Sequence, residues 1–179
     1  MQGSVSGLST DTSTEQLSVR RQVAALLPDL RAFARFLLRD PTAADDLVQD
    51  TLVRALAAAS QFIVGTNLKA WLFTIQRNTF YEQMRRRRTE TAYLEAQHLG
   101  EEAAAPVQTT RTEITDLQRM LWTLPATLRE ALVLVGAQEL SYEEAAIVCE
   151  VPVGTVKARV SRARAALAQR MAETETSGN

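Results

Sequence analysis

The chain has few of the residues that most enzyme and metal sites require. Its 179 residues include one cysteine, Cys149, one histidine, His98, and seven glycines. A single cysteine cannot form an intrachain disulfide or a cysteine-based metal site, and His98 has neither a second ligand nor a nucleophile near it in the sequence. No Ser/His/Asp or Cys/His arrangement, glycine-rich phosphate loop or paired-carboxylate cleft can be assembled from this inventory. We therefore expect no catalytic residues, no metal site and no cofactor.

Long apolar runs and a strong net charge are also missing. No run approaches the roughly 18–20 apolar residues that span a bilayer, and residues 1–18 lack the basic-then-apolar pattern of a signal peptide. The net charge is −1, which argues against a protein that coats nucleic acid by bulk charge. Together with the unpaired cysteine, these absences predict a cytoplasmic protein without a membrane partner.

The chain does contain helical periodicity, in two blocks of different charge. Residues 19–88 carry twelve basic against six acidic residues, and residues 113–172 carry seven of each. The acidic segment between them, 89–112, contains a glycine and a proline and predicts a linker. Residues 1–18 and 173–179 have little to bury and predict tails, the first of them disordered. The sequence therefore predicts an all-α protein with two small helical domains joined by a flexible linker.

In the first block, the periodicity predicts a helix over 19–38 that is broken or restarted at Pro28, a second over 41–58 and a third over about 68–87. Asp40-Pro41 is a strong start signal, because the aspartate can cap the helix and the proline needs no amide partner in the first turn. The predicted packing stripe of the third helix consists of Leu68, Trp71, Leu72 and Ile75. Another face combines basic and aromatic character, as single-stranded nucleic acid binding requires; it contains Lys69, Phe73, Gln76, Arg77 and Phe80.

Residues 139–167 predict two short helices joined by a tight turn. Ser141 and Glu144 have the spacing of a capping box, and Pro152 ends the first helix because it forces its predecessor out of the helical region. The predicted buried stripe of the second helix is Val153, Val156, Val160, Ala163 and Leu167. Opposite it lie Thr155, Lys157, Ala158, Ser161, Arg162 and Ala165, with Arg159 and Arg164 on the flanks.

The charge of this second helix favours contact with duplex DNA. Residues 151–172 carry five bases and no acid, whereas residues 113–150 carry seven acids and two bases. A solvated amphipathic helix docked on an acidic neighbour would have a similar pattern. The coincidence of capping box, turn and charge segregation favours a helix-turn-helix whose outward residues enter a major groove and whose flanking arginines hold phosphates.

Five segments carry a resemblance to a known family: DDLVQDTLVRA at 45–55, NLKAWLFTIQRN at 67–78, RRRR at 85–88, LPATLREALVL at 124–134 and SYEEAAIVCEVPVGTVKARVSRAR at 141–164. In this order they resemble the bacterial extracytoplasmic-function (ECF) sigma factors, two-domain initiation subunits of RNA polymerase. Among these, the chain is similar to the general-stress sigma factors of alphaproteobacteria. The resemblance implies a promoter-specificity subunit that directs transcription initiation at minus-thirty-five and minus-ten elements of a stress regulon and is not itself an enzyme.

The resemblance also implies roles for residues of the first block. Asp46, Gln49 and Asp50 would bind the coiled-coil of the polymerase β′ subunit; they share one side of a helix and leave Leu47, Val48, Leu52 and Val53 for packing. A solvated acidic face is the alternative. The implied minus-ten contacts are Phe62, Asn67, Lys69, Trp71, Arg77, Asn78, Arg85 and Arg86. A buried Asn78 that ties the loop backbone, and a solvated arginine run at 85–88, are the alternatives there.

In the second block, the implied minus-thirty-five contacts are Thr155, Lys157, Ala158, Arg159, Ser161, Arg162 and Arg164. Arg162 is the first candidate for a bidentate contact to guanine. Glu150 departs from the family pattern, because many members have glycine at this turn. A positive φ at Glu150 would be strained by about 1 kcal/mol.

The implied partners are core RNA polymerase, through its β′ coiled-coil and its β subunit, promoter DNA, and a small helical anti-sigma factor that holds the chain inactive. The free chain is expected to be a monomer. Two other classes remain open. A repressor or activator would bind a palindrome as a dimer, which the absence of a heptad seam disfavours. A sigma-mimicking protein that binds the anti-sigma factor would need no basic outward helix.

Overall fold

A computed structural model describes the backbone of residues 20–97 and 116–177 and the side chains of residues 20–93 and 117–173. The predicted tail at 1–18, His98 with most of the predicted linker, and the last two residues lie outside these ranges. Within them every regular element is helical, which confirms the all-α class.

The first block begins with a helical segment at 20–25, and the chain turns at Leu26 before helix α1 (Leu27–Leu37). Pro28 lies in the first turn of α1, so the predicted restart at this proline is confirmed. Helix α2 (Pro41–Ala57) follows Asp40, whose carboxylate accepts hydrogen bonds from the amides of Thr42 (2.8 Å) and Ala43 (3.4 Å). A short 3-10 turn, Ala59–Gln61, leads into the loop before the third helix.

Helix α3 (Leu68–Gln97) is 30 residues long and continues ten residues past the predicted end at Arg87. The first part of the predicted linker is therefore helix. The physical reason is local, since no proline or glycine interrupts residues 88–97 and alanine, leucine, glutamate and glutamine all favour helix. The acidic composition of this segment suggested a linker, but it is equally compatible with an exposed helix.

In the second block the structure describes four helices: α4 (Asp116–Trp122), α5 (Ala126–Gly136), α6 (Tyr142–Cys149) and α7 (Val153–Ser177). The capping box of α6 is confirmed. The amide of Glu144 donates to the Ser141 hydroxyl over 3.1 Å, and the Glu144 carboxylate accepts from the Ser141 amide over 2.8 Å. Helix α7 runs through the predicted domain end at residue 172.

The turn between α6 and α7 is a Schellman motif centred on Glu150. The Glu150 amide donates to the Ile147 carbonyl (3.2 Å) and the Val151 amide to the Ala146 carbonyl (3.1 Å), which together satisfy the last carbonyls of α6. Glu150 has φ 54° and ψ 45°, the left-handed conformation usual for glycine at this position. The positive φ considered for this turn is thus present.

The two blocks pack against each other. Helix α1 lies against α2 and α5, α3 lies against α2 and α6, and α5 lies against α7. Buried apolar side chains of both blocks, among them Phe33, Leu72, Leu134 and Val148, form one continuous cluster. At the edge of the contact, two guanidinium groups lie over the Trp122 ring, with Arg129 3.8 Å and Arg39 5.0 Å from its centroid. The Arg129 Nε also donates to the Phe36 carbonyl over 3.0 Å.

Glu139→Gly should stabilise the protein by about 1 kcal/mol. Glu139 has φ 58°, and a non-glycine residue in this left-handed region is strained by about 1–3 kcal/mol. Glycine relieves the strain, but its greater entropy in the unfolded chain reduces the gain in stability by about 0.4–1 kcal/mol. Glu150→Gly relieves the same strain but loses the hydrogen bond that Glu150 accepts from Asn78, so its gain should be smaller. Urea unfolding of the full chain measures both. Equal gains would show that the Asn78 contact contributes nothing to stability.

Candidate nucleic-acid and polymerase interfaces

One face of α7 is exposed and cationic. Val156, Val160 and Ala163 are fully buried, while Val153 and Leu167 of the predicted stripe are half-buried. This packing fixes the rotation of the helix about its axis. The opposite side exposes Lys157, Ser161, Arg162 and Arg164. We call these four residues the α7 face.

The other residues predicted for the minus-thirty-five element lie at the margins of the α7 face. Thr155, Ala158 and Arg159 are half-buried. The charge of Arg159 acts on the buried carboxylate of Glu130 and opposes the rise in its pKa. Lys157 leans over α6, with its ammonium 5.6 Å from the centroid of the Tyr142 ring. The structure therefore brings four of the seven predicted residues together on one exposed surface.

The loop before α3 presents apolar side chains to solvent. Ile63 and Val64 are 71% and 72% exposed, and Gly65 supplies the turn between them and α3 with φ 93°. Beside the loop, the rings of Phe62 and Trp71 pack with their centroids 5.4 Å apart. Asn67 caps α3, because its side-chain oxygen accepts from the Ala70 amide over 3.2 Å. An exposed apolar loop next to two aromatic rings is suited to stacking against an unpaired base.

Several basic residues of α3 are held by acidic partners. Lys69 forms an ion pair with Asp29 of α1 (2.9 Å), and Arg86 forms one with Glu82 one turn before it (2.7 Å). Residues 85–88 are all exposed. Exposed pairs of this kind contribute about 0–1 kcal/mol, so phosphate groups could replace the acidic partner of Arg86 at little cost.

The predicted second face of α3 is partly wrong. Phe73 and Gln76 are fully buried. The Phe73 ring packs on Phe33 with a centroid separation of 4.9 Å, and the Gln76 amide donates to the Leu30 carbonyl over 2.9 Å. Helix α3 is contacted by α1, α2 and α6, so a face that would be exposed on a two-helix hairpin is interior here. Phe73 and Gln76 cannot contact DNA from these positions.

The alternative of a buried Asn78 that ties the loop backbone is contradicted by the structure. Its side chain is exposed and does not tie the loop; its amide donates to the Glu150 carboxylate of the α6–α7 turn over 2.9 Å. Asn67 makes a similar contact, since its amide donates to the Glu144 carboxylate over 2.6 Å. This hydrogen bond, together with the one from the Ser141 amide, lowers the pKa of Glu144.

Arg77 forms a buried ion pair with Glu130 of α5. Its Nε donates to the carboxylate over 2.7 Å, and the two side chains are 14% and 1% exposed. The Arg77 guanidinium also lies over the Tyr81 ring, 4.7 Å from its centroid. Burial raises the pKa of Glu130 above its usual range, and the positive charge of Arg77 opposes this rise.

The outer side of α2 is acidic with an apolar end. Asp46, Gln49 and Asp50 are exposed, and Asp50 accepts a hydrogen bond from the Gln83 amide over 2.8 Å. Leu47 and Val48 are buried as predicted, but Val53 is 67% exposed. The prediction that Val53 packs in the core is wrong. Positions i, i+4 and i+7 of a helix lie on one side, so Val53 is in line with the exposed Asp46 and Asp50.

The sequence analysis did not identify the acidic partners of three residues: Glu144 for Asn67, Glu130 for Arg77 and Glu150 for Asn78. The available signal was the acidic excess of residues 113–150 facing a basic first block. That excess indicates a docking surface for a basic helix, but the sequence does not say whether α3 or α7 meets it.

The described ranges contain no group of three or more histidine, cysteine, aspartate or glutamate residues that could hold a metal ion. None of their helices has the length and hydropathy of a membrane span. Cys149 is buried, and burial raises the pKa of its thiol to about 12. A thiol in this state is a poor nucleophile.

Comparison with known proteins agrees with the two-block organisation. Residues 22–90 match the Sigma-70 region 2 family, and residues 114–167 match Sigma-70, region 4. The ECF RNA polymerase sigma factor EcfG of Rhodopseudomonas palustris is 47% identical over 150 residues, which are 84% of this chain and 83% of that protein.

Two solved structures have a similar fold. One is the sigma factor RpoE in complex with the anti-sigma factor NepR from Bartonella quintana (TM-score 0.71, 45% identity, 84% of this chain and 94% of that chain). The other is CnrH in complex with the cytosolic domain of CnrY (TM-score 0.64, 29% identity, 88% of this chain and 90% of that chain). Matches to both sigma regions, and 47% identity across most of a named relative, show that the chain belongs to the extracytoplasmic-function RNA polymerase sigma factors.

Proposed function

We propose that the chain directs core RNA polymerase to its promoters by reading the minus-thirty-five element with α7 and the minus-ten element with α3 and its preceding loop. The observation that carries this proposal is the α7 face, in which Lys157, Ser161, Arg162 and Arg164 are exposed opposite a fully buried apolar stripe. A helix held in this way can enter a major groove, where arginine and lysine distinguish guanine from the other bases.

The minus-ten contacts would come from a second surface. Phe62, Trp71 and the exposed loop offer stacking for an unpaired base, while Asn67, Lys69, Arg77 and Asn78 carry hydrogen-bond donors along the same helix. Separating a base from its stack costs about a few kcal/mol, and an apolar pocket with nearby donors can offset that cost. Arg85 and Arg86 would bind phosphates further along α3.

The polymerase-binding surface would be the outer side of α2. Asp46, Gln49 and Asp50 can accept hydrogen bonds or pair with basic residues of the β′ coiled-coil, and the exposed Val53 adds an apolar contact beside them. An apolar contact bordered by a polar rim is the usual anatomy of a protein interface.

The relatives support an anti-sigma factor as a partner and a stress regulon as the set of target genes. Because the similar RpoE structure contains the anti-sigma factor NepR, an anti-sigma factor would hold this chain inactive, and release would switch on a stress regulon. A promoter-specificity subunit acts where polymerase and DNA are, in the cytoplasm, and contributes no catalytic residue of its own.

Reconstitution with core polymerase on a promoter library tests the proposal. Specific transcripts should start at a fixed distance from a shared upstream element. Asp46→Arg should reduce affinity for core polymerase at least tenfold, since it places a like charge against a basic partner, whereas Asp45→Arg on the same helix is the matched control. Footprints on a palindrome without polymerase, and no specific transcripts with it, would instead support a dimeric repressor.

A further inference from the structure

The chain uses lysine at two positions. Of its 20 basic residues, all but Lys69 and Lys157 are arginines. Each lysine lies on one of the two proposed DNA surfaces, Lys69 at the start of α3 and Lys157 on the α7 face. Lysine and arginine carry the same charge, but a lysine amine can be acylated, and acylation removes its charge. The two lysines are therefore the side chains at which such a modification would change a DNA surface.

The structure shields Lys69. Its ammonium pairs with the Asp29 carboxylate of α1 over 2.9 Å and lies 5.8 Å from the centroid of the Phe73 ring. The side chain is 22% exposed. The carboxylate and the ring that enclose this ammonium leave little room for an acyl donor to approach its nitrogen.

Lys157, in contrast, is open to an approaching reagent. It is exposed, and its ammonium contacts the Tyr142 ring at 5.6 Å from the centroid. Within the described ranges no carboxylate forms an ion pair with it. Ser161 and Arg164 follow at i+4 and i+7, so they share one side of α7 with Lys157. The α7 face carries three cations and no acid, so it attracts an anionic acyl donor.

We propose that Lys157 is an acylation site, at which transfer of an acyl group from an acyl phosphate or an acyl thioester switches off binding to the minus-thirty-five element. This inference rests on the proposed assignment of the α7 face to that element. In the reaction the deprotonated Lys157 nitrogen attacks the acyl carbon and a C–N bond forms. The C–O bond to phosphate or the C–S bond to the thiol breaks, and the leaving group departs with the bonding electrons. The nitrogen gives up one proton to water.

Acylation removes what Lys157 offers to a major groove. The amide product is uncharged and keeps one N–H donor in place of the three of the ammonium. It can neither pair with a phosphate nor bind guanine as the ammonium does, and it loses the attraction to the Tyr142 ring. The arginines of the α7 face do not undergo this reaction, so one modified side chain would control the affinity of the surface.

The test treats the full chain with acetyl phosphate in one arm and with acetyl coenzyme A in the other, and peptide mass spectrometry locates the acetyl groups. Lys157 should react at least fivefold faster than Lys69, and the arm in which it reacts identifies the donor. The treated chain should bind a labelled minus-thirty-five duplex, taken from a promoter recovered in the library experiment, at least fivefold more weakly. No reaction of Lys157 in either arm, equal reaction of Lys69, or unchanged duplex affinity after Lys157 has reacted would overturn the proposal.

Lys157→Arg is the variant that assigns the effect, because arginine keeps the charge and is not acetylated; Lys69→Arg is its matched control. Each protein is compared with its own untreated sample, so that any effect of the substitution on the starting affinity cancels. Treatment should change the duplex affinity of Lys157→Arg less than twofold and weaken Lys69→Arg as much as the wild type. Equal weakening of Lys157→Arg would overturn the proposal, because another group, such as the amino terminus, would then carry the effect. Absence of specific transcripts from the untreated wild-type chain in the library experiment would refute the proposed function instead.

Discussion

Replacing Phe73 with alanine should destabilise the protein by about 3–5 kcal/mol, the cost of removing a fully buried aromatic ring from a packed core. Phe73 has no exposed surface and packs against Phe33. The loss contains the transfer free energy of the ring and the cavity it leaves, since α1, α2 and α6 hold the surrounding side chains in place. Urea unfolding of the full chain measures the change.

Tyr93→Ala is the matched control, because Tyr93 lies on the same helix with 64% of its surface exposed. It should change stability by less than about 0.5 kcal/mol. A Phe73→Ala protein that unfolds at the wild-type urea concentration but loses binding to single-stranded DNA would show that Phe73 faces the nucleic acid. That result would contradict the packing described for α3.

Replacing Arg162 with alanine should remove discrimination at one base pair of the minus-thirty-five element. A bidentate arginine contact to guanine contributes about 1–3 kcal/mol, so the preference for the favoured base should fall by about five- to 150-fold. Arg162 is exposed on the α7 face, and its removal leaves the buried stripe intact. The measurement is holoenzyme transcription from promoters that carry each of the four base pairs at every minus-thirty-five position.

Arg164→Ala distinguishes base reading from phosphate binding. Arg164 is expected to bind a phosphate, so its replacement should weaken binding to all promoters to a similar extent. The salt dependence of binding should fall by about one phosphate contact. If Arg162→Ala also weakens all promoters equally, Arg162 binds phosphate and the assignment of base reading to it is wrong.

Features fixed by neighbouring residues could be predicted from the sequence. The capping box of Ser141 and Glu144, the cap at Asp40 and the restart at Pro28 depend on hydrogen bonds or steric restrictions within a few residues. The rotation of α7 was also predictable, because one apolar stripe against one charged face leaves a single way to bury it.

Features that depend on the number of neighbouring helices could not be predicted in this way. Periodicity places Phe73 and Gln76 on a different face from Leu72, but it does not say that three helices cover α3 and bury both faces. The hydrogen bonds from Asn67, Arg77 and Asn78 to glutamates of the second block are even harder to predict from the sequence. Asn78 and Glu150 are 72 positions apart, and only the arrangement of the two blocks brings them into contact.

The two tryptophans of the chain lie at different places, and this makes the unlabelled protein suitable for optical measurements. Trp122 contacts a guanidinium from each block, so its emission reports whether those blocks are together. Trp71 packs against Phe62 beside the exposed loop, so its emission reports the arrival of a base. If either tryptophan is replaced by phenylalanine, stopped-flow fluorescence can follow the remaining one. The two variants together would show whether the blocks separate before or after single-stranded DNA binds.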